Sequence, residues 1–246
     1  MNGCNPACAA GTACVTQNNA ATCAKVYDSS NYFPTYPAVL GDYVSLANGP
    51  QGLGIVVYDR FHGNLWAISD AGGKWAQTLL DGQTGSGTST TDTGDDGIDA
   101  NLVIAQNGDW NVTYVNGIQE HLQFLLWPGG KGTPLTPEVV DDGYDNGKAY
   151  PDGQHVVGDD ATMQIDGSGN VTIVYQDSTA GTLRVATGAP AQSGTHKWTA
   201  KTVPQQGKFA GFFPRFVPGT TQIANWWRTT DATQDTESGD VTLVTP

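Results

Sequence analysis

Two acidic stretches carry the residue types that hold a hard cation or grip a polar ligand. One runs Asp92-Thr93-Gly94-Asp95-Asp96-Gly97-Ile98-Asp99. The other runs Asp141-Asp142-Gly143-Tyr144-Asp145-Asn146-Gly147 and ends near Asp152. Calcium takes roughly six to eight oxygens from carboxylates, amides and backbone carbonyls, and glycine permits the sharp turns that bring them together. Asp92, Asp95, Asp96, Asp99, Asp141, Asp142 and Asp145 are therefore candidate calcium ligands. Neither stretch has EF-hand spacing, and Asp/Gly stretches also build ordinary turns. Asp99 and Asp160 offer a second chemistry. Glycoside cleavage needs two carboxylates, about 5 Å apart for retention or about 6.5–9.5 Å apart for inversion. The supporting cast for such a reaction is thin. The glutamates are Glu120, Glu138 and Glu237, the arginines are Arg60, Arg184, Arg215 and Arg228, and the histidines His62, His121, His155 and His196 are scattered. His62 and His121 share a turn position that opens on the acidic loops, which allows a two-histidine metal site. No Ser/His/Asp arrangement stands out. The residue types favour binding over catalysis.

These residues need a frame, and the chain shows one as an internal repeat. Valine-rich strands recur as Ile55-Val56-Val57-Tyr58-Asp59, Val112-Thr113-Tyr114-Val115-Asn116, Ile173-Val174-Tyr175-Gln176-Asp177 and Ile223-Ala224-Asn225-Trp226-Trp227-Arg228. Before each lies a strand, most of them entered through Gly and Asp: 41–46, 99–104, 159–165 and 213–217. After each come a turn and a third strand, at 65–68, 122–126, 183–186 and 241–244. A fourth strand follows the first three repeats, at 75–80, 138–141 and 198–203. The last repeat ends without one, and Ala24-Lys25-Val26-Tyr27-Asp28 matches the missing pattern at the other end of the chain. A propeller closes its ring in this way. The expected fold is all-β: a β-propeller of four four-stranded blades over residues 24–246, with the N-terminal strand closing the last blade. A run of hairpins in a sandwich is the alternative.

Side chains alternate along a strand, and the first strand of each blade lines the propeller axis. Val44, Leu46, Leu102, Ile104, Ala161, Met163, Ile165 and Phe216 form an apolar set that should pack between blades. The alternate set, Tyr43, Asp99, Asp160 and Phe213 in one layer and Ser45, Asn101, Thr162 and Arg215 in the next, should face the channel. Tyr43, Asp99, Asp160 and Arg215 at the channel mouth are the candidate ligand-binding residues. Polar residues satisfying one another around a hydrated channel is the alternative. The core reading is the expectation for each tryptophan, Trp66, Trp75 and Trp198 among them, with Trp110, which follows a turn, the candidate for exposure.

Composition sets the outer bounds. The chain has 246 residues with 32 Gly and 13 Pro, which suits many short strands joined by turns. Its net charge of −13 repels nucleic acid and anionic membrane surfaces. No apolar stretch reaches the roughly 18 residues of a membrane-spanning helix. The cysteines, Cys4, Cys8, Cys14 and Cys23, all lie in the first 23 residues. An even number in a Gly/Ala/Asn-rich stretch reads as two disulfides. Their gaps do not fit the paired C-x2-C spacing of the rival zinc site. Segment 1–23 is thus a disulfide-rich cap or linker stub, and disulfides place the protein outside the cell, at its surface or in a periplasm. No basic-then-apolar leader opens the chain, so the expectation is that one was removed or that the chain is a piece of a longer protein.

The run Gly158-Asp159-Asp160-Ala161-Thr162-Met163-Gln164-Ile165-Asp166-Gly167-Ser168-Gly169, with the strands that follow it, resembles the repeats of bacterial surface propellers of the sialidase-like, Asp-box superfamily. Asp70-Ala71-Gly72-Gly73-Lys74-Trp75 is similar to the D-x-G-x-x-W core of an Asp-box, with the usual preceding Ser displaced. That superfamily usually has six to eight blades, so four is a departure. A sialidase-like active site would need an arginine cluster, a Tyr/Glu pair and an Asp acid/base, and this chain lacks most of them. The leading expectation is a non-catalytic extracellular module that recognises a glycan or a protein partner through its loop face. The alternatives are a degenerate glycoside hydrolase using Asp99 or Asp160, and a self-assembling structural subunit of a cell surface.

Overall fold

Short strands of alternating character, punctuated by Gly, Asp and Asn, pair with their sequence neighbours as antiparallel hairpins. A computed structural model describes residues 8, 12–17, 20–25, 40–70, 74–86, 89–145, 147–191, 194–204, 209–231 and 236–245. The chain divides into two compact units, Met1–Ala38 and Val39–Pro246, a later boundary than the 23/24 break expected from the cysteines. In the first unit, β1 (Thr12–Gln17) and β2 (Ala20–Lys25) form a hairpin. Cys8 and Cys23 form a disulfide. Cys14 is also disulfide-bonded, and Cys4 lies outside the described residues. Ala24 and Lys25, expected to begin a ring-closing strand, instead pair with Ala13 and Thr12 within this hairpin. Val26, Tyr27 and Asp28 lie outside the described residues.

The second unit is a run of antiparallel sheets, each a meander. Sheet 1 comprises β3 (Leu40–Gly49), β4 (Gly52–Asp59), β5 (Asn64–Asp70) and β6 (Trp75–Asp81). A small hairpin, β7 (Gln83–Ser86) and β8 (Ser89–Asp92), leads to sheet 2. Sheet 2 comprises β9 (Asp96–Ile104), β10 (Trp110–Asn116), β11 (His121–Trp127) and β12 (Glu138–Asp141). Sheet 3 comprises β13 (Val157–Ile165), β14 (Val171–Asp177), β15 (Thr182–Pro190) and β16 (His196–Thr202). Sheet 4 comprises β17 (Phe209–Phe216), β18 (Ile223–Asp231) and β19 (Thr236–Val244), so among the described residues it has three strands where four were expected. The first strands pack in sequence, β3 beside β9, β9 beside β13 and β13 beside β17, as in a β-propeller.

The core lies in the seams between sheets. Leu102 of β9 packs with Val56, Leu65 and Ala67 of sheet 1. Ala161 and Met163 of β13 pack with Leu122 and Phe124 of sheet 2. Phe216 of β17 packs against Val174, Leu183 and Val185 of sheet 3. Second strands sit between neighbouring layers on both faces, so every residue of β10 is buried and its sequence does not alternate. The same rule explains a correction. Val44 and Leu46 hold the seam positions of β3 but are 48% and 58% exposed, because the described residues place no preceding sheet against them. One tryptophan also differs from expectation. Trp75 is 58% exposed, which removes it as the buried anchor of an Asp-box. Trp110 is buried, with its ring edge-on to Trp127 at 5.2 Å.

Phe124 is fully buried and packs on His196 and Trp198. Phe124→Ala is expected to cost about 3–5 kcal/mol in urea unfolding. Trp75→Ala is expected to shift stability by no more than about 0.5 kcal/mol.

Candidate functional site

All four first strands carry the same irregularity. Between Asp42 and Ser45, Ile98 and Asn101, Asp159 and Thr162, and Phe212 and Arg215, three steps on the first strand oppose two on its partner. This is a one-residue β-bulge. In each bulge one non-glycine residue is left-handed: Tyr43 (φ 50°), Asp99 (φ 52°), Asp160 (φ 56°) and Phe213 (φ 47°). Such a backbone is sparsely populated and is kept only where the surroundings enforce it. The surroundings do so by a relay. Asp160 N–H donates to Asp99 Oδ2 at 3.2 Å, and Phe213 N–H donates to Asp160 Oδ2 at 3.1 Å, so each carboxylate caps the bulge of the next sheet. A glycine stands two residues before each bulge residue. At Gly158 (φ 114°) an added Cβ would sit 2.8 Å from Val115 Cγ2, so both conformation and space require glycine there.

The bulges gather the residues singled out for the channel mouth. Arg215 Nη1 donates to the carbonyls of Asp160 (3.4 Å) and Pro214 (2.7 Å). In the second layer, Ser45 Oγ accepts Leu102 N–H at 3.0 Å and Thr162 is buried. Beside the relay, Tyr43 opens onto a cleft of about 460 Å³ lined by Asp42, Tyr43, Tyr58, Arg60 and Ile98. The Tyr43 and Tyr58 rings lie 5.9 Å apart, tilted by 54°. Tyr58 donates its hydroxyl to Asp95 Oδ1 at 3.3 Å, and an exposed Arg60–Asp42 ion pair closes the rim at 3.4 Å. Burial raises the Asp99 and Asp160 carboxyls, partly offset by the backbone N–H each accepts. Burial and the charge on Asp99 raise Tyr43. Burial and Asp95 push Tyr58 to about 12. Tyr58, Asp42 and Arg60 were not singled out in the sequence because Asp42 and Tyr58 meet only through the pairing of β3 with β4.

Several acids of the two loops accept hydrogen bonds within the protein. Asp92 Oδ1 accepts Gly94 N–H, Asp96 accepts Asn116 Nδ2–H and Thr93 Oγ1–H, and Asp142 Oδ1 accepts Tyr144 N–H. Among the described residues, no three His, Cys, Asp or Glu side chains gather to hold a metal ion. His62 turns to Asp59 at 2.6 Å, within its own hairpin.

A polar cluster that the sequence did not suggest lies between sheets 2 and 3. Tyr175 donates to Asp141 Oδ2 at 2.5 Å, as Tyr114 does to Asp81 Oδ2 one seam earlier, also at 2.5 Å. Of these two seams, among the described residues, the later one adds a cation. Arg184 Nη2 is 3.2 Å from Asp141 Oδ2, and Arg184 Nη1 is 3.4 Å from Asp177 Oδ2. His155 bridges Asp177 (Nδ1, 2.7 Å) and Asp152 (Nε2, 3.1 Å), with Tyr150 stacked on its ring at 3.9 Å. Burial opposes charge on His155, but the hydrogen bonds and charges of Asp177 and Asp152 outweigh it and raise its pKa. His155 looked isolated in the sequence because Asp177, its closest partner, lies on β14, while Asp152 and Tyr150 are loop neighbours with no marked pattern.

Among the solved structures to which the chain is similar are three glycoside hydrolases. They are an α-L-arabinofuranosidase from Podospora anserina in complex with cellotriose (12% identity, TM-score 0.47, 86% of this chain and 66% of that one), a GH43 β-1,3-galactosidase (11%, 0.47, 78% and 69%) and a GH62 hydrolase in complex with xylotriose (12%, 0.45, 88% and 67%). The chain spans about two thirds of the length of each. No protein-family model matches the sequence, nor does any curated protein.

Two predictions follow from this geometry. Valine is β-branched and poorly tolerated at positive φ, so Phe213→Val is expected to be about 1–2 kcal/mol less stable than Phe213→Gly in chemical denaturation. Asp96 is pushed up to about 7, first by burial and then by the charge of Asp81. The folded state therefore holds its proton over a range where the unfolded chain, ionising near about 4, has lost it. Stability from this group is full below about pH 4 and lost as pH rises to about 7. Asp96→Asn should flatten that part of the Tm–pH profile and raise Tm above pH 7 relative to the parent.

Proposed function

We propose that this protein is an extracellular saccharide-binding propeller whose binding site is the axial mouth. The observation that carries this reading is the Tyr43–Tyr58 pair. It is held open on the cleft by a strained backbone and bordered by Asp42, Arg60 and the Asp99–Asp160 relay. A sugar ring presents apolar faces to aromatic rings and hydroxyls to carboxylates and guanidinium groups, and this rim supplies each kind of partner. The disulfides and the acidic composition suit an extracellular setting. The second reading is hydrolysis. It is favoured by two neighbouring carboxyls, Asp99 and Asp160, that burial makes harder to ionise.

Xylotriose and cellotriose, titrated calorimetrically with and without calcium, test the first reading. Tyr43→Ala should weaken binding at the mouth by about tenfold or more, the loss of an aromatic anchor. Release of reducing sugar that disappears in both Asp99→Asn and Asp160→Asn would replace binding with hydrolysis as the function. A calcium requirement would return the Asp92–Asp99 and Asp141–Asp152 loops to a ligand role.

A further inference from the structure

The repeat gives each residue three internal comparisons. Strand pairing sets Val57 opposite Trp66, Tyr114 opposite Gln123, Tyr175 opposite Arg184 and Asn225 opposite Thr242. Trp66, Gln123, Arg184 and Thr242 thus hold equivalent places in the four sheets, and only Arg184 is charged. It is 6% exposed. A buried guanidinium between two carboxylates carries a desolvation cost that a neutral side chain avoids, and three of the four sheets do without it. Departures of this kind from a fold's own pattern mark function more often than stability.

Arg184 lines a cleft of about 520 Å³ between the outer strand and following loop of sheet 2 and the last strands of sheet 3. Its Nη1 donates to the Tyr150 hydroxyl at 3.1 Å, and its Nε–H, itself buried from solvent, has no hydrogen-bond partner. The cleft lining includes Tyr144, Asp142 and Asp145, together with Tyr150, which stacks on His155, and Trp198, which packs on Phe124. The chemistry narrows the occupant. Asp141, Asp142 and Asp145 outnumber Arg184, which disfavours an anion. No three acidic or histidine ligands among the described residues converge for a metal ion. What remains is a neutral molecule with stackable faces and groups that both donate and accept.

We propose that this seam cleft is a second saccharide site, separate from the axial mouth, that takes a neutral oligosaccharide. The inference rests on the saccharide-binding reading above but places a further site on the protein. The full chain, its Tyr43→Ala variant and the Tyr43→Ala/Tyr144→Ala double variant are titrated with xylotriose and cellotriose. Amide hydrogen exchange of the unaltered chain is followed with and without sugar. The expected result is residual binding in Tyr43→Ala that weakens about tenfold when Tyr144 is also truncated. Exchange should slow at residues 142–145 and 198–200 when sugar is present. If Tyr43→Ala removes all binding and exchange at those residues is unchanged by sugar, the second site is overturned while the axial reading stands. If the unaltered chain binds neither sugar, both are overturned.

Discussion

The centre of this molecule depends on a carboxylate of one sheet accepting the backbone N–H of the next. Asp99 reaches Asp160, and Asp160 reaches Phe213. A bulge leaves backbone groups outside the ladder, and a buried unpaired N–H is costly. The relay satisfies those groups and locks the left-handed residues at the same time. It also ties neighbouring sheets through their most central strands, so the register of one bulge is tied to that of the next. Tyr43 stands where a capping carboxylate would stand on β3. Phe213 is likewise no acid, and of these two positions without a carboxylate Tyr43 is the one whose ring lines the cleft.

Further from the axis, a second kind of tie crosses the seams. Tyr114 and Tyr175 hold equivalent positions and reach back to Asp81 and Asp141, the last residues of the preceding sheets. A phenol fills the seam with apolar surface and supplies one donor for a half-buried acid. The two seams then diverge. Beside Asp81 lies Asp96, which keeps its proton to about neutral pH because burial and the Asp81 charge disfavour a second anion. Beside Asp141 lies Arg184, and the acids there are compensated by a cation. One repeated scaffold has solved the same electrostatic problem by protonation in one place and by pairing in another.

The acidity of the chain looks, in the sequence, like a store of cation ligands. In the fold several of these acids also serve the backbone. Aspartates close hairpins by accepting N–H groups two or three residues on, as Asp59 does for Phe61 and Asp177 does for Ala180. Asn116 does the same for Ile118 and Gln119. Short acidic side chains in Gly-rich turns serve the backbone first, and the residual net charge of −13 is what the surface shows to partners.

The sequence by itself determined the all-β class, the repeat, the strand order within each sheet and the cysteine-rich N-terminal segment. It also determined that Tyr43, Asp99, Asp160 and Phe213 share one level. These properties are local: period-two alternation, turn chemistry and spacing encode them. Only the tertiary structure decided that those four residues are bulged and left-handed, because a one-residue shift is defined by the partner strand and not by the strand itself. It alone exposed Val44, Leu46 and Trp75, since burial depends on which sheet packs where. The Arg184–Asp177–His155 cluster was equally out of reach, because its members come from three chain segments that meet only when the sheets stack.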